Sequence, residues 1–163
     1  MSAPELGPFV QIVRTLFAEA YEGSDGPTWF VNNGPEGGLF AVLDGVSAEE
    51  ASRSVPVGSA SIAAHVEHLR WSLANVNNVA RGGEWNPDWS ASWSVATVDT
   101  GAWDALRTKL RSEFAQVLEA IDAGGVDPSD PMVMTGMAAL APHAAHHLGA
   151  IRQLARFVRS ESA

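Results

Sequence analysis

Five histidines and no cysteine set the chemistry available to this 163-residue chain. Three of the histidines lie in His143-Ala144-Ala145-His146-His147, and the other two are His65 and His68. A separation of four places His143 and His147 one turn apart on one face of a helix. Two imidazoles so placed can hold one divalent ion from the same side, and imidazole is a common ligand for zinc, copper, nickel and iron. His65 and His68 fall in a second segment of helical periodicity. With no thiolate available, the economical reading is a three-histidine centre made by His143, His147 and one of the upstream pair. Such a centre is expected to release its ion as pH falls through about 6.5, because a protonated imidazole cannot coordinate.

Four long amphipathic segments must position these rings. The first runs from Pro8 to Tyr21, with Phe9, Ile12, Val13, Leu16, Phe17 and Ala20 as its apolar stripe. Residues 23–38 are rich in Gly, Pro and Asn and read as loop. A short apolar turn follows at Leu39 to Leu43, and Ser47-Ala48-Glu49-Glu50 has the form of a capping box. The second long helix is expected to start near Ser59 or Ser61 and to run to about Arg81, on the stripe Ile62, Val66, Leu69, Leu73 and Val76; Gly82-Gly83 ends it. The connection from Glu84 to Val98 carries Trp85, Trp89 and Trp93, half of the six tryptophans. The third helix starts near Asp99 or Thr100 and stops at Gly124-Gly125. In the last, His143, His147, Ile151, Leu154 and Val158 share a face. Pro142 leaves two readings open there: a helix that begins near Pro142 after a separate turn at Met132 to Leu140, or one longer helix kinked at Pro142. No strand pattern and no internal repeat emerge, so the expected fold is all-α, a four-helix bundle, as a single domain over 1–163.

Composition bounds the function. Hydrophobic content of 46% with 18% charged residues is that of an ordinary globular protein. The net charge of −9 argues against a nucleic-acid partner and against anionic lipid. No apolar run approaches the ~20 residues of a membrane span. The start, Met1-Ser2-Ala3-Pro4-Glu5, lacks the basic flank and apolar core of a signal peptide. Together with the missing cysteines this points to the cytoplasm.

Two segments carry a resemblance: Ser61-Ile62-Ala63-Ala64-His65-Val66-Glu67-His68-Leu69-Arg70-Trp71, and His143-Ala144-Ala145-His146-His147-Leu148-Gly149-Ala150-Ile151-Arg152-Gln153. In order and spacing the chain resembles the DinB/YfiT-like superfamily of metalloenzymes, which is related to the N-terminal domain of mycothiol-dependent maleylpyruvate isomerase and to bacterial thiol S-transferases. The stretch from Trp89 to Trp103 is also similar. The resemblance implies a four-helix bundle, a metal site with one histidine from the second long helix and a pair from the last, and a homodimer. Two departures stand out: His146 occupies a position often aromatic in such sequences, and Pro142 directly precedes a candidate ligand.

The choice on the second long helix stays open. Its place on the apolar stripe, beside Ile62 and Leu69, favours His65. Its place relative to the cap, seven residues after Ser61, favours His68, which we take as ligand with His65 as alternate. His146 points about 100° away from His147 and reads as a flanking group. Glu67 is a candidate general base but reads more simply as a solvated glutamate. Arg152 could bind an anionic substrate through its planar fork, and Trp89, with Trp85 and Trp93, could line a pocket mouth. The first functional reading is a divalent-metal enzyme, with zinc or nickel as metal. The resemblance implies a thiol-dependent S-transferase, isomerase or hydrolase, and a low-molecular-weight thiol such as mycothiol or bacillithiol as co-substrate. The alternative is a non-catalytic metal- or small-molecule-binding helical module.

Overall fold

The computed structural model describes residues 7–31, 34–55 and 60–161, and six helices form among them. Four are long: α1 (Pro8–Glu22), α4 (Ile62–Ala80), α5 (Thr100–Asp122) and α6 (Pro131–Ser160). Two short ones, α2 (Leu39–Asp44) and α3 (Ala48–Ser52), lie in the connection between α1 and α4. The described residues contain no strand. Helix α1 neighbours α6 and α5, and α4 neighbours α5 and α6, so the long helices close a ring of four. This is the expected all-α four-helix bundle. No helix among the described residues is long and apolar enough to cross a membrane.

The helix starts follow from local chemistry. Ser61 accepts from the Ala64 N–H at the head of α4, and Asp99 accepts from the Ala102 N–H at the head of α5. Ser59, the other candidate start, lies outside the described residues. Ser47 and Glu50 form both bonds of a capping box. Asp130 caps α6, with Pro131 at the first helical position, where a missing N–H costs nothing.

Helix α6 settles the two readings of Pro142 in favour of the longer helix. Pro142 sits inside it, and the N–H that would bond the Ala138 carbonyl is missing. The buried positions Met137, Leu140, Ala141, Ala144, His147, Leu148, Ile151 and Ala155 run through the proline at spacings of three and four. Packing of that unbroken stripe outweighs the local preference against helix before a proline.

The core has an aromatic centre. Phe17, Tyr21, Phe40 and Phe114 meet with ring centroids 4.8–5.4 Å apart. Trp103 is buried, and its indole N–H donates to the Val46 carbonyl at 2.8 Å, which fixes the turn after α2 against α5. Arg111 donates to Asp44 and lies over the Phe40 ring. Arg159 donates to Glu50 at 2.7 Å. The small helices are thereby held against both α5 and α6.

Candidate metal centre

The tryptophan connection lies along one face of α4. Ser61, His68 and Asn75 are seven residues apart, two helical turns, and therefore stack on that face. Each holds the connection. The Ser61 hydroxyl donates to the Ala96 carbonyl at 2.6 Å. Asn75 exchanges two bonds with the Asn86 backbone, at 2.8 and 2.9 Å. His68 Nδ1 meets Ser92 Oγ at 2.8 Å, and Ser92 is fully buried in the single turn at Ala91–Trp93.

The other edge of the His68 ring faces α6. His68 Nε2 lies 3.0 Å from His143 Nε2, and His147 Nε2 lies 3.1 Å from the same atom. Ligand nitrogens of these three histidines all fall within 4.8 Å of one another, and among the described residues this is the group of histidines and acids able to hold an ion. The donor set fits such an ion. Zinc binds imidazole nitrogen at about 2.0–2.1 Å, so tetrahedral ligands stand roughly 3.3 Å apart, close to the two spacings seen here. The one-turn separation of His143 and His147 on α6 thus does what its spacing implies, and α4 supplies the third ring.

That third ring is His68. His65 is also near, but its Nδ1 contacts His147 Nδ1 at 2.8 Å, on the far edge of that ring. It supports a candidate ligand from behind. His146 is exposed and sets its ring edge-on to His147 with centroids 5.0 Å apart. The rings are kept neutral. Burial, and then the neighbouring imidazoles, lower His147 from 6.5 to about 3 and His68 from 6.5 to about 4. Burial and then His146 also lower His143 and His65. Neutral imidazole is the form that binds a metal.

A sequence model of the DinB superfamily matches residues 37–151, which span α2 to the middle of α6 and include all five histidines. The chain belongs to the DinB superfamily. No curated protein and no solved structure matched it.

Around the centre, this member of the superfamily builds an aromatic wall. The Trp93 ring stacks on His68 at 4.2 Å with 20° between planes, and it stands edge-on to His65. Trp89 lies 5.7 Å from His68, and Trp71 and Trp85 lie 5.2 and 5.9 Å from Trp89. Trp85, Trp89 and Trp93 remain 39–46% exposed. The wall therefore borders the histidines on one side and solvent on the other.

Two other candidates take different partners. The Arg152 guanidinium donates to the Gly37 carbonyl, joining α6 to the turn before α2. Glu67 is buried rather than solvated, and both its oxygens accept from Arg70 at 2.7 Å. That ion pair commits the carboxylate that a general base would need. Ser92 is the residue the sequence did not disclose. A serine in the run Ser90-Ala91-Ser92-Trp93-Ser94 has nothing in type or spacing to mark it, because its role depends on a turn folding back onto α4.

Proposed function

We propose that this protein is a divalent-metal-dependent enzyme whose ion is held by His68, His143 and His147. The observation that carries the reading is the convergence of three neutral imidazole nitrogens from two helices beside an exposed aromatic wall. Three protein ligands leave a tetrahedral ion one position for water or substrate. Imidazole nitrogens suit zinc, nickel, copper and iron, and of these we take zinc or nickel as the metal. When bound, the ion would supply Lewis acidity that lowers the pKa of a coordinated water or thiol. The chain's own part is to hold three ring nitrogens in register, to keep the rings neutral, and to present Trp89 and Trp93 to an incoming apolar or aromatic group. The chemistry we assign is thiol-dependent S-transfer, with isomerisation or hydrolysis as the neighbouring possibilities within the same scaffold. The co-substrate is then a low-molecular-weight thiol. Arg152 is kept as an anion partner only for a ligand that displaces it from Gly37. We read the whole chain, 1–163, as one unit of this kind, acting in the cytoplasm.

Elemental analysis of protein purified without an affinity tag, and zinc or nickel titration of the stripped protein, test the metal. About one ion per chain is expected. His68→Ala, His143→Ala and His147→Ala should each lose most of the affinity, and His146→Ala little. Trp89→Ala should retain the metal and weaken substrate in a thiol-conjugation screen. Zinc binding weaker than micromolar in the unaltered protein would sink the reading. The non-catalytic alternative would be favoured by an ion closed off by a fourth protein ligand.

Assembly is part of the proposal. Ile12 and Trp29 are 57% and 71% exposed, and with Leu16 and Phe30 they line an apolar groove of about 630 Å³ between α1 and the segment that follows it. We assign this face to a second copy in a two-fold homodimer. Light scattering at micromolar concentration should give the dimer mass, and Ile12→Glu should give the monomer. A monomeric unaltered protein would refute it.

A further inference from the structure

The hydrogen bonds around the histidines admit one consistent placement of their protons. The starting point is Ser92. Its hydroxyl donates its one proton to the Trp89 carbonyl at 2.6 Å. Toward His68 Nδ1, 2.8 Å away, the same oxygen can only accept. His68 therefore carries its proton on Nδ1, and its Nε2 is a lone pair. That lone pair lies 3.0 Å from His143 Nε2, so His143 must donate there and carries its proton on Nε2. The same His143 nitrogen lies 3.1 Å from His147 Nε2, which must then be a lone pair as well. His147 is left with its proton on Nδ1, which donates to His65 Nδ1 at 2.8 Å. His65 accepts on Nδ1 and carries its own proton on Nε2. One buried hydroxyl on the tryptophan connection thus orders four rings on two helices.

We propose that Ser92 is a positioning residue which sets these tautomers, so that His68 and His147 already turn their Nε2 lone pairs inward and His143 is the ring that changes when an ion is taken up. The inference rests on the metal reading above only in its last clause. The change at His143 is balanced: the proton on Nε2 leaves to water, Nδ1 takes one from water, and the ring stays neutral. His143 is half-buried, which gives that exchange a route to solvent. The stack of Trp93 on His68 and the Ser92 bond act together, because both come from the same turn and both fix the plane of one ring. Groups that orient a ligand in this way typically change metal affinity by about 10- to 100-fold when removed.

Long-range proton–nitrogen correlation spectra of the full chain with labelled imidazoles test this without any activity. In metal-free protein at pH 7.5, His68 and His147 should appear with the proton on Nδ1, and His143 and His65 with it on Nε2. Added zinc should move the His143 proton to Nδ1. Ser92→Ala should release His68 from its tautomer and weaken zinc binding by about 10- to 100-fold. Ser92→Thr, which keeps the hydroxyl, should recover both. His68 found with its proton on Nε2 in the unaltered protein would overturn the proposal, and so would unchanged zinc affinity in Ser92→Ala. Should the unaltered protein bind no zinc at all, the metal reading fails and the metal-free spectra alone decide the role of Ser92.

Discussion

Glu19 is 3% exposed, and its Oε1 accepts from three successive backbone N–H groups, those of Trp29, Phe30 and Val31, at 2.8–3.1 Å. Consecutive N–H groups aimed at one point form an anion-binding concavity, and here the anion is a side chain of α1. The carboxylate shapes the segment after α1 that ends at the buried Val31. Glu19→Ala should cost about 2 kcal/mol or more, because a buried backbone donor left without a partner carries its full desolvation penalty. Glu19→Gln, which keeps one acceptor oxygen, should retain most of that. Urea denaturation of the three proteins measures the difference, and an alanine variant within ~0.5 kcal/mol of the unaltered protein would contradict it. The sequence hides this role, since a glutamate at the end of an amphipathic helix reads as solvated. The same holds for Glu67. Both carboxylates are buried by neighbours whose positions local pattern does not specify.

At the scale of elements, most of the bundle is legible in local chemistry. The stripes of α1, α4 and α5 repeat at helical spacing, and Ser47, Ser61 and Asp99 announce helix starts that form with their cap bonds. Pro142 was the ambiguous sign, because a local rule and a packing rule oppose each other there. How elements cross is less legible. Gly38, directly before α2, passes against the end of α1: a Cβ there would meet the Tyr21 carbonyl oxygen at 2.7 Å and the Glu22 and Gly23 backbone closer still. Those atoms are main chain and cannot turn aside. Gly23 has φ of +76°, which favours glycine, and its own N–H closes α1 on the Glu19 carbonyl. Gly38→Ala should therefore cost at least about 1–3 kcal/mol, as overpacking does. Gly136→Ala, on α6 with open space around its Cβ position, should be neutral or mildly stabilising. Thermal melts of both variants check the contrast, and equal melting temperatures would show that α1 and the turn before α2 separate easily.

For the whole molecule, the centre is a question of which elements meet. Spacing marks the histidines of α6 but favours His68 over His65 only weakly, because the apolar stripe of α4 does not say which neighbour covers which side. The fold separates them: the face of Ser61, His68 and Asn75 is covered by the tryptophan connection, and His65 falls behind His147. Burying four imidazoles has a consequence for the stability of the entire chain. Unfolded, each titrates near its ordinary value of 6.5; folded, His68 and His147 take protons only near pH 4 and 3, and His143 and His65 are lowered as well. Well above pH 6.5 neither state binds these protons, so folding stability is unaffected by them. As pH falls from 6.5 toward 4 the unfolded chain gains protons that the folded chain refuses, and stability falls with them. The metal-free protein should thus lose stability steadily across that window. Replacing His147 with Gln should reduce the slope. Metal retention should likewise persist below the pH of about 6.5 expected of ordinary imidazoles, since rings that are already neutral offer the proton a poor competing site. Denaturant unfolding of the stripped protein at a series of pH values tests the argument, and a flat stability between pH 7 and 4.5 would show that the histidines are solvated in the folded state.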